Sequence, residues 1–158
     1  MEHLWAPWRM EYIKKVDEPG CVFCAKPQQK DDAANLILHR GEHSFIIMNC
    51  YPYNSGHLMV APYRHVASLE ELSDEERNEQ FALVSRSIAV LKEVMKPDGF
   101  NVGMNLGRIA GAGIDKHIHT HIVPRWAGDT NFITLTGDIR VVNEALQDTY
   151  KKLAERFK

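Results

Sequence analysis

His117-Ile118-His119-Thr120-His121-Ile122-Val123-Pro124-Arg125-Trp126 is the stretch whose reading decides the fold. Successive side chains of a β-strand point to opposite faces, so this period of two puts His117, His119 and His121 on one face. Ile118, Thr120 and Ile122 take the other face, where β-branched side chains suit a pleated, half-buried surface. A histidine-rich edge strand or an incidental metal patch has the same spacing. With 8 histidines in 158 residues, though, three at alternate positions seldom arise by chance. Same-face neighbours lie roughly 6.5–7 Å apart, so two imidazoles can meet one phosphate, one attacking and one donating. A neutral imidazole, with a reference pKa of about 6.5, is a competent nucleophile at pH 7. Attack on phosphorus would leave a covalent phosphohistidine-type intermediate and split one hard displacement into two easier ones.

Upstream, Ser44 to Asn49 (SFIIMN) reads as a strand, Tyr51 to Gly56 as a turn and His57 to Pro62 (HLMVAP) as the returning strand, an antiparallel hairpin. Ser73-Asp74-Glu75-Glu76 is a capping box. Phe81, Val84, Ile88, Leu91 and Met95 then recur at helical spacing until Pro97-Asp98-Gly99, which predicts a helix over 74–95 with one buried face. Phe100 to Leu106 and 117–123 read as further strands, Lys26 to Asp32 as a polar loop, and 141–158 as a C-terminal helix. The expected class is α+β: a mainly antiparallel sheet with a long helix and a C-terminal helix packed on it, in a single domain 1–158.

The bulk properties narrow the possibilities. A hydrophobic content of 44% and charged content of 25% are ordinary for a globular chain. A net charge of −2 gives no basis for a nucleic-acid or membrane partner. The opening MEHLWAPWRM lacks the pattern of a signal peptide, and no apolar run approaches a membrane span. Cys21, Cys24 and Cys50 make an odd count that argues against a disulfide framework and for a cytoplasmic location, with Cys21-x-x-Cys24 as a metal or redox pair. Cys50 reads as a buried apolar residue. Trp5, Pro7, Trp8 and Tyr12 form an aromatic extension over 1–20.

His-x-His-x-His followed by two apolar residues resembles the signature of the histidine triad (HIT) superfamily of nucleotidyl hydrolases and transferases. The longer run from His117 to Phe132 (HIHTHIVPRWAGDTNF), together with LWAPWRMEYI at the start, resembles the branch holding bacterial diadenosine tetraphosphate phosphorylases and related hydrolases. The resemblance implies a HIT-like fold, a homodimer, and cleavage of dinucleoside polyphosphates at the α-phosphate with water or phosphate as acceptor. His119 would be the nucleophile, its other nitrogen donating to a backbone carbonyl, with His121 and His117 beside it. Alternatives are a nucleoside phosphoramidate or adenylyl-conjugate hydrolase and, in another class, a non-catalytic nucleotide-binding module.

Further assignments follow from the same resemblance. Zinc-containing relatives, including the galactose-1-phosphate uridylyltransferases, use a Cys-x-x-Cys, a mid-chain histidine and the first histidine of the signature, which here are Cys21, Cys24, His65 and His117. Asn49, eight residues before His57, matches the ribose contact, though Asn also commonly ends strands. Phe23, Ile47 and Cys50 match positions that sandwich the base, with core packing as their other reading. Asn105 matches a phosphate contact. Read from its own glycines and its place just before the histidine strand, the loop at Gly111, Ala112 and Gly113 would offer backbone N–H groups to an anion. Where many hydrolase relatives carry Ser or Thr three residues before the first histidine, this chain has Ile114. Lys116 points away from the histidine face.

Overall fold

The computed structural model describes residues 20–129 and 144–158. The aromatic extension, the first three residues of the expected C-terminal helix, and Thr130, Asn131 and Phe132 lie outside the described residues.

A five-stranded antiparallel sheet runs in the order β1 (Ile37–Arg40), β2 (Ser44–Met48), β3 (Leu58–Pro62), β5 (Thr120–Arg125), β4 (Gly99–Gly103). The predicted hairpin is β2–β3, with Ser44 opposite Pro62 and Met48 opposite Leu58. Its turn presses against the helix beyond: Gly56 has φ +75°, and a Cβ there would lie 2.6 Å from the Met95 sulfur. Glycine alone meets both demands.

Helix α3 (Asp74–Met95) has the predicted bounds, and its capping box is formed: the Ser73 side chain accepts from the Glu76 N–H while Glu76 accepts from the Ser73 N–H. Its buried face is Gln80, Leu83, Val84, Ser87, Val90 and Leu91, so the expected face is rotated. Phe81, expected inside, is 68% exposed. Two polar residues take inner positions, Ser87 fully satisfied there and Gln80 through its carbonyl oxygen alone. The Ser87 hydroxyl donates to the Leu83 carbonyl at 2.8 Å, and Gln80 accepts from Thr120 at 3.5 Å.

The segment read as a polar loop is instead mostly helical: α1 (Val22–Gln28) and α2 (Asp32–Asn35) lead into β1. Local chemistry explains part of this, since Asp31 caps α2 by accepting from the Ala34 N–H. Tertiary chemistry supplies the rest. The Arg40 guanidinium reaches back to the carbonyls of Pro27 and Gln29 and to the Asp32 carboxylate.

Helix α4 (Leu146–Ala154) buries Thr149, Tyr150 and Leu153, and the Tyr150 hydroxyl donates to the Ile37 carbonyl on β1. Cross-strand register sorts the sheet into two faces. Ile46, Val60 and Thr120 share a row on the α3 side. Ile47, Met59 and His121 share a row on the other side, where Phe45 meets Phe23 of α1. No helix among the described residues is long and apolar enough to cross a membrane.

Candidate active site and metal cluster

Two groups of side chains meet on the face that α1 covers. The first joins three segments: Cys21 and Cys24 at the start of α1, His65 beyond β3, and His117 before β5. Their ligand atoms all lie within 4.8 Å of one another. His117 Nδ1 is 3.2 Å from Cys21 Sγ, 3.6 Å from Cys24 Sγ and 3.3 Å from His65 Nδ1, and Cys24 Sγ is 3.4 Å from His65 Nδ1. A tetrahedral zinc has N···S and N···N edges of about 3.5 and 3.3 Å, so these separations already match one. The other nitrogen of His117 donates to the Pro62 carbonyl at 2.9 Å, which directs the Nδ1 lone pair at the cluster. Burial and the adjacent Cys21 thiol push the Cys24 thiol up to about 11, so two thiols here need a cation beside them to ionise together. The residues present fit zinc.

Both nitrogens of His117 are thus engaged, Nδ1 by the cluster and Nε2 by the Pro62 carbonyl. Of the two placements expected for His117, beside the nucleophile and among the metal ligands, its ring takes the second position, among Cys21, Cys24 and His65. His117 and His119 also precede the regular strand, which begins at Thr120. The alternation still holds their rings on one side, both against Phe23, at 5.3 and 4.7 Å between centroids.

The second group is His119, His121 and His57. His119 Nδ1 donates to the His117 carbonyl at 2.8 Å, leaving Nε2 with its lone pair. Burial lowers its pKa, partly offset by that carbonyl. The His119 and His121 ring centroids are 4.8 Å apart, nearly perpendicular. His121 Nδ1 lies 2.9 Å from His57 Nε2. Burial, with the neighbouring His119, brings His121 down to about 4. Burial, with His121 and His119, brings His57 down to about 3. All three are neutral at pH 7. The place of His57 was not apparent from its sequence, where it served only as the reference for Asn49. Its signal was its position opposite the histidine strand, since Leu58 pairs with Ile122.

The expected nucleotide contacts fall at varied places. Asn49 stands beside His57, with Nδ2 3.3 Å from His57 Nδ1, while its Oδ1 accepts from the Tyr51 N–H at 2.9 Å. The turn reading of Asn49 therefore holds alongside any ribose role. Phe23 and Ile47 are buried on the histidine face. Cys50, expected to be buried, is exposed beyond the end of β2. Gly111 has φ +95° and lies beside Asn105, whose Nδ2 is 3.8 Å from the position of a Cβ at Gly111. The N–H groups of Gly111 and Ala112 are bonded to the Arg108 and Gly107 carbonyls. The expected cradle of open donors at these two residues is thus already closed on its own turn. Ile114 packs against the core and Lys116 is exposed. Arg125 and Asp129 form an ion pair that shapes the turn after β5, with Asp129 accepting from the Trp126 N–H.

The chain is similar to known proteins in sequence and in fold. The HIT domain profile matches residues 30–128. The chain is 43% identical to the AP-4-A phosphorylase of Mycobacterium tuberculosis, across 99% of this chain and 85% of that one. Among solved structures, a Zn-bound histidine triad family protein from Mycobacterium smegmatis superposes with a TM-score of 0.69 at 26% identity, covering 87% of this chain and 93% of that one. A histidine triad nucleotide-binding protein from Sulfolobus tokodaii gives 0.70 at 27% identity, covering 87% and 91%.

Proposed function

The chain belongs to the HIT domain family, and from that premise we propose that it cleaves dinucleoside polyphosphates at the α-phosphorus, with His119 as nucleophile and inorganic phosphate or water as acceptor. The observation that carries this is the pairing of His119, whose Nε2 lone pair is freed by the His117 carbonyl, with a neutral His121 held by His57. Similarity to the mycobacterial AP-4-A phosphorylase supports the substrate class and favours phosphate as acceptor.

His119 Nε2 attacks the α-phosphorus, an N–P bond forms, and the bond to the leaving polyphosphate oxygen breaks. His121 donates a hydrogen bond from Nε2 to that oxygen as its charge develops. An oxygen of phosphate or water then attacks the same phosphorus and the N–P bond breaks. Diadenosine tetraphosphate would release ATP first, then ADP with phosphate or AMP with water. Asn49 would hold the ribose hydroxyls, Phe23, Ile47 and Cys50 the base, and Asn105 with the 111–113 turn the phosphates. Because Gly111 and Ala112 have bonded N–H groups, that turn would act mainly through shape and the Asn105 amide.

Zinc would be held by Cys21, Cys24, His65 and His117, and when bound it ties α1 to the approach of the histidine strand. The reading includes a homodimer through β4, which pairs only with β5 among the described residues and exposes Val102 along its open edge. The three cysteines are unbridged, which fits a reducing compartment such as the cytoplasm.

The test is chromatography of the products of diadenosine tetraphosphate with and without inorganic phosphate. ADP plus ATP formed only with phosphate establishes a phosphorylase, and AMP plus ATP regardless of phosphate establishes a hydrolase. No cleavage in either condition overturns the reading.

A further inference from the structure

We propose that Tyr53 is a positioning residue for His121, locking the His57–His121 pair into one arrangement of protons through both its main chain and its ring. The inference rests on His121 being the donor to the leaving oxygen. It concerns a residue of the β2–β3 turn with no role in the scheme above.

The main-chain contribution follows from donor and acceptor chemistry. A backbone N–H can only donate, and that of Tyr53 lies 3.1 Å from Nδ1 of His57. The Asn49 amide is fixed with its NH2 toward the same nitrogen, because its oxygen is taken by the Tyr51 N–H. Two donors on Nδ1 place the single proton of a neutral His57 on Nε2. That proton points at His121 Nδ1, 2.9 Å away. His121 must then accept at Nδ1 and carry its own proton on Nε2, the nitrogen left for the substrate. The opposite tautomer of His57 would set an N–H against two others.

The ring closes the same pair from outside. Its centroid lies 4.6 Å from that of His57 and 5.7 Å from that of His121, tilted 28° to the latter. Tyr53 itself is 47% exposed, so its ring stands between both imidazoles and solvent. Burial is the leading reason that these two imidazoles hold no second proton. Among the described residues, two titratable groups face the pair from other elements. A proton on His119 would repel one on the pair. Glu144 lines a small cavity that His57 shares and is itself held by Thr149 and Lys152.

The experiment is an NMR titration of ¹⁵N-labelled imidazoles in the full chain, without substrate, for wild type, Tyr53→Phe and Tyr53→Ala. In wild type, His57 and His121 should show one protonated nitrogen each, Nε2, and no titration between pH 7 and 5. Tyr53→Phe should match it. Tyr53→Ala should make at least one of the pair titrate within that range, and at pH 5 lower kcat by about tenfold more than at pH 7, with KM changed less than about threefold. Wild-type titration near pH 6.5, or a Tyr53→Ala chain whose imidazoles behave as wild type, would overturn the proposal. The wild-type titration needs no variant to fold. Because it uses no substrate, it stands apart from whether diadenosine tetraphosphate is cleaved.

Discussion

The main-chain oxygen of His117 accepts a hydrogen bond from Nδ1 of His119 at 2.8 Å, while the ring of His117 faces the two cysteines. In the proposed scheme one residue would therefore serve the metal cluster with its side chain and the nucleophile with its backbone. This division of labour separates effects on stability from effects on chemistry.

Replacing His119 with Ala should lower turnover of diadenosine tetraphosphate by at least about a thousandfold, because the attacking lone pair is lost. AMP binding should persist within about tenfold, since ribose and base contacts lie elsewhere. Product chromatography and calorimetry check the two halves, and retained turnover would remove His119 from the mechanism.

Metal removal should act on stability first. The chain is expected to carry about one zinc equivalent, and Cys24→Ser should lose it with a fall in Tm of roughly 10 °C. His117 keeps its bond to the Pro62 carbonyl, so its main-chain oxygen stays in place and kcat should fall by less than about tenfold. Metal analysis, thermal melts and kinetics on one preparation decide this. An unchanged Tm with abolished kcat would instead assign the metal to the chemistry.

Acid stability should depend on Glu76. Its carboxylate is covered, accepts from the Ser73 N–H and is gripped by the Arg64 guanidinium, which holds it down at about 2. The unfolded value is about 4.3, so the folded state favours the ionised form. That contribution is complete above about pH 5 and is lost as pH falls from about 4.3 to about 2. Glu76→Gln should cost about 1–3 kcal/mol at pH 7 through the lost ion pair and cap. The gap between variant and wild type should close over the same acid range in urea melts. A gap independent of pH would assign the cost to packing.

Val102→Arg should yield a monomer by sedimentation if the open edge of β4 joins two chains, because a charge there opposes strand pairing. A variant that stays dimeric would move the interface elsewhere.

The β2–β3 hairpin and the bounds of α3 were legible because their signals are local: alternation, a turn rich in Pro, Asn and Gly, and a capping box. The face of α3 was not, because apolar spacing alone admitted Phe81 and passed over Gln80 and Ser87, whose partners lie on β5 and one turn back. Helix α1 was missed because Arg40, on β1, satisfies the carbonyls at its end, and α2 because it is a single turn whose one local signal is the Asp31 cap. The four-residue cluster was readable only through family resemblance, yet the structure brings all four together. Tyr53 and His57 could not be read, since their contact exists only once the hairpin turn is closed.

Asn49 and His121 stand at opposite edges of the single imidazole of His57. In the proposed scheme, with Asn49 on the ribose and His121 at the scissile bond, that ring would act as a ruler of fixed length. It would measure from sugar to α-phosphorus without reaching along the polyphosphate. Cleavage should thus fall at the same phosphorus in tri-, tetra- and pentaphosphate chains, with length setting only how firmly the far nucleotide is held.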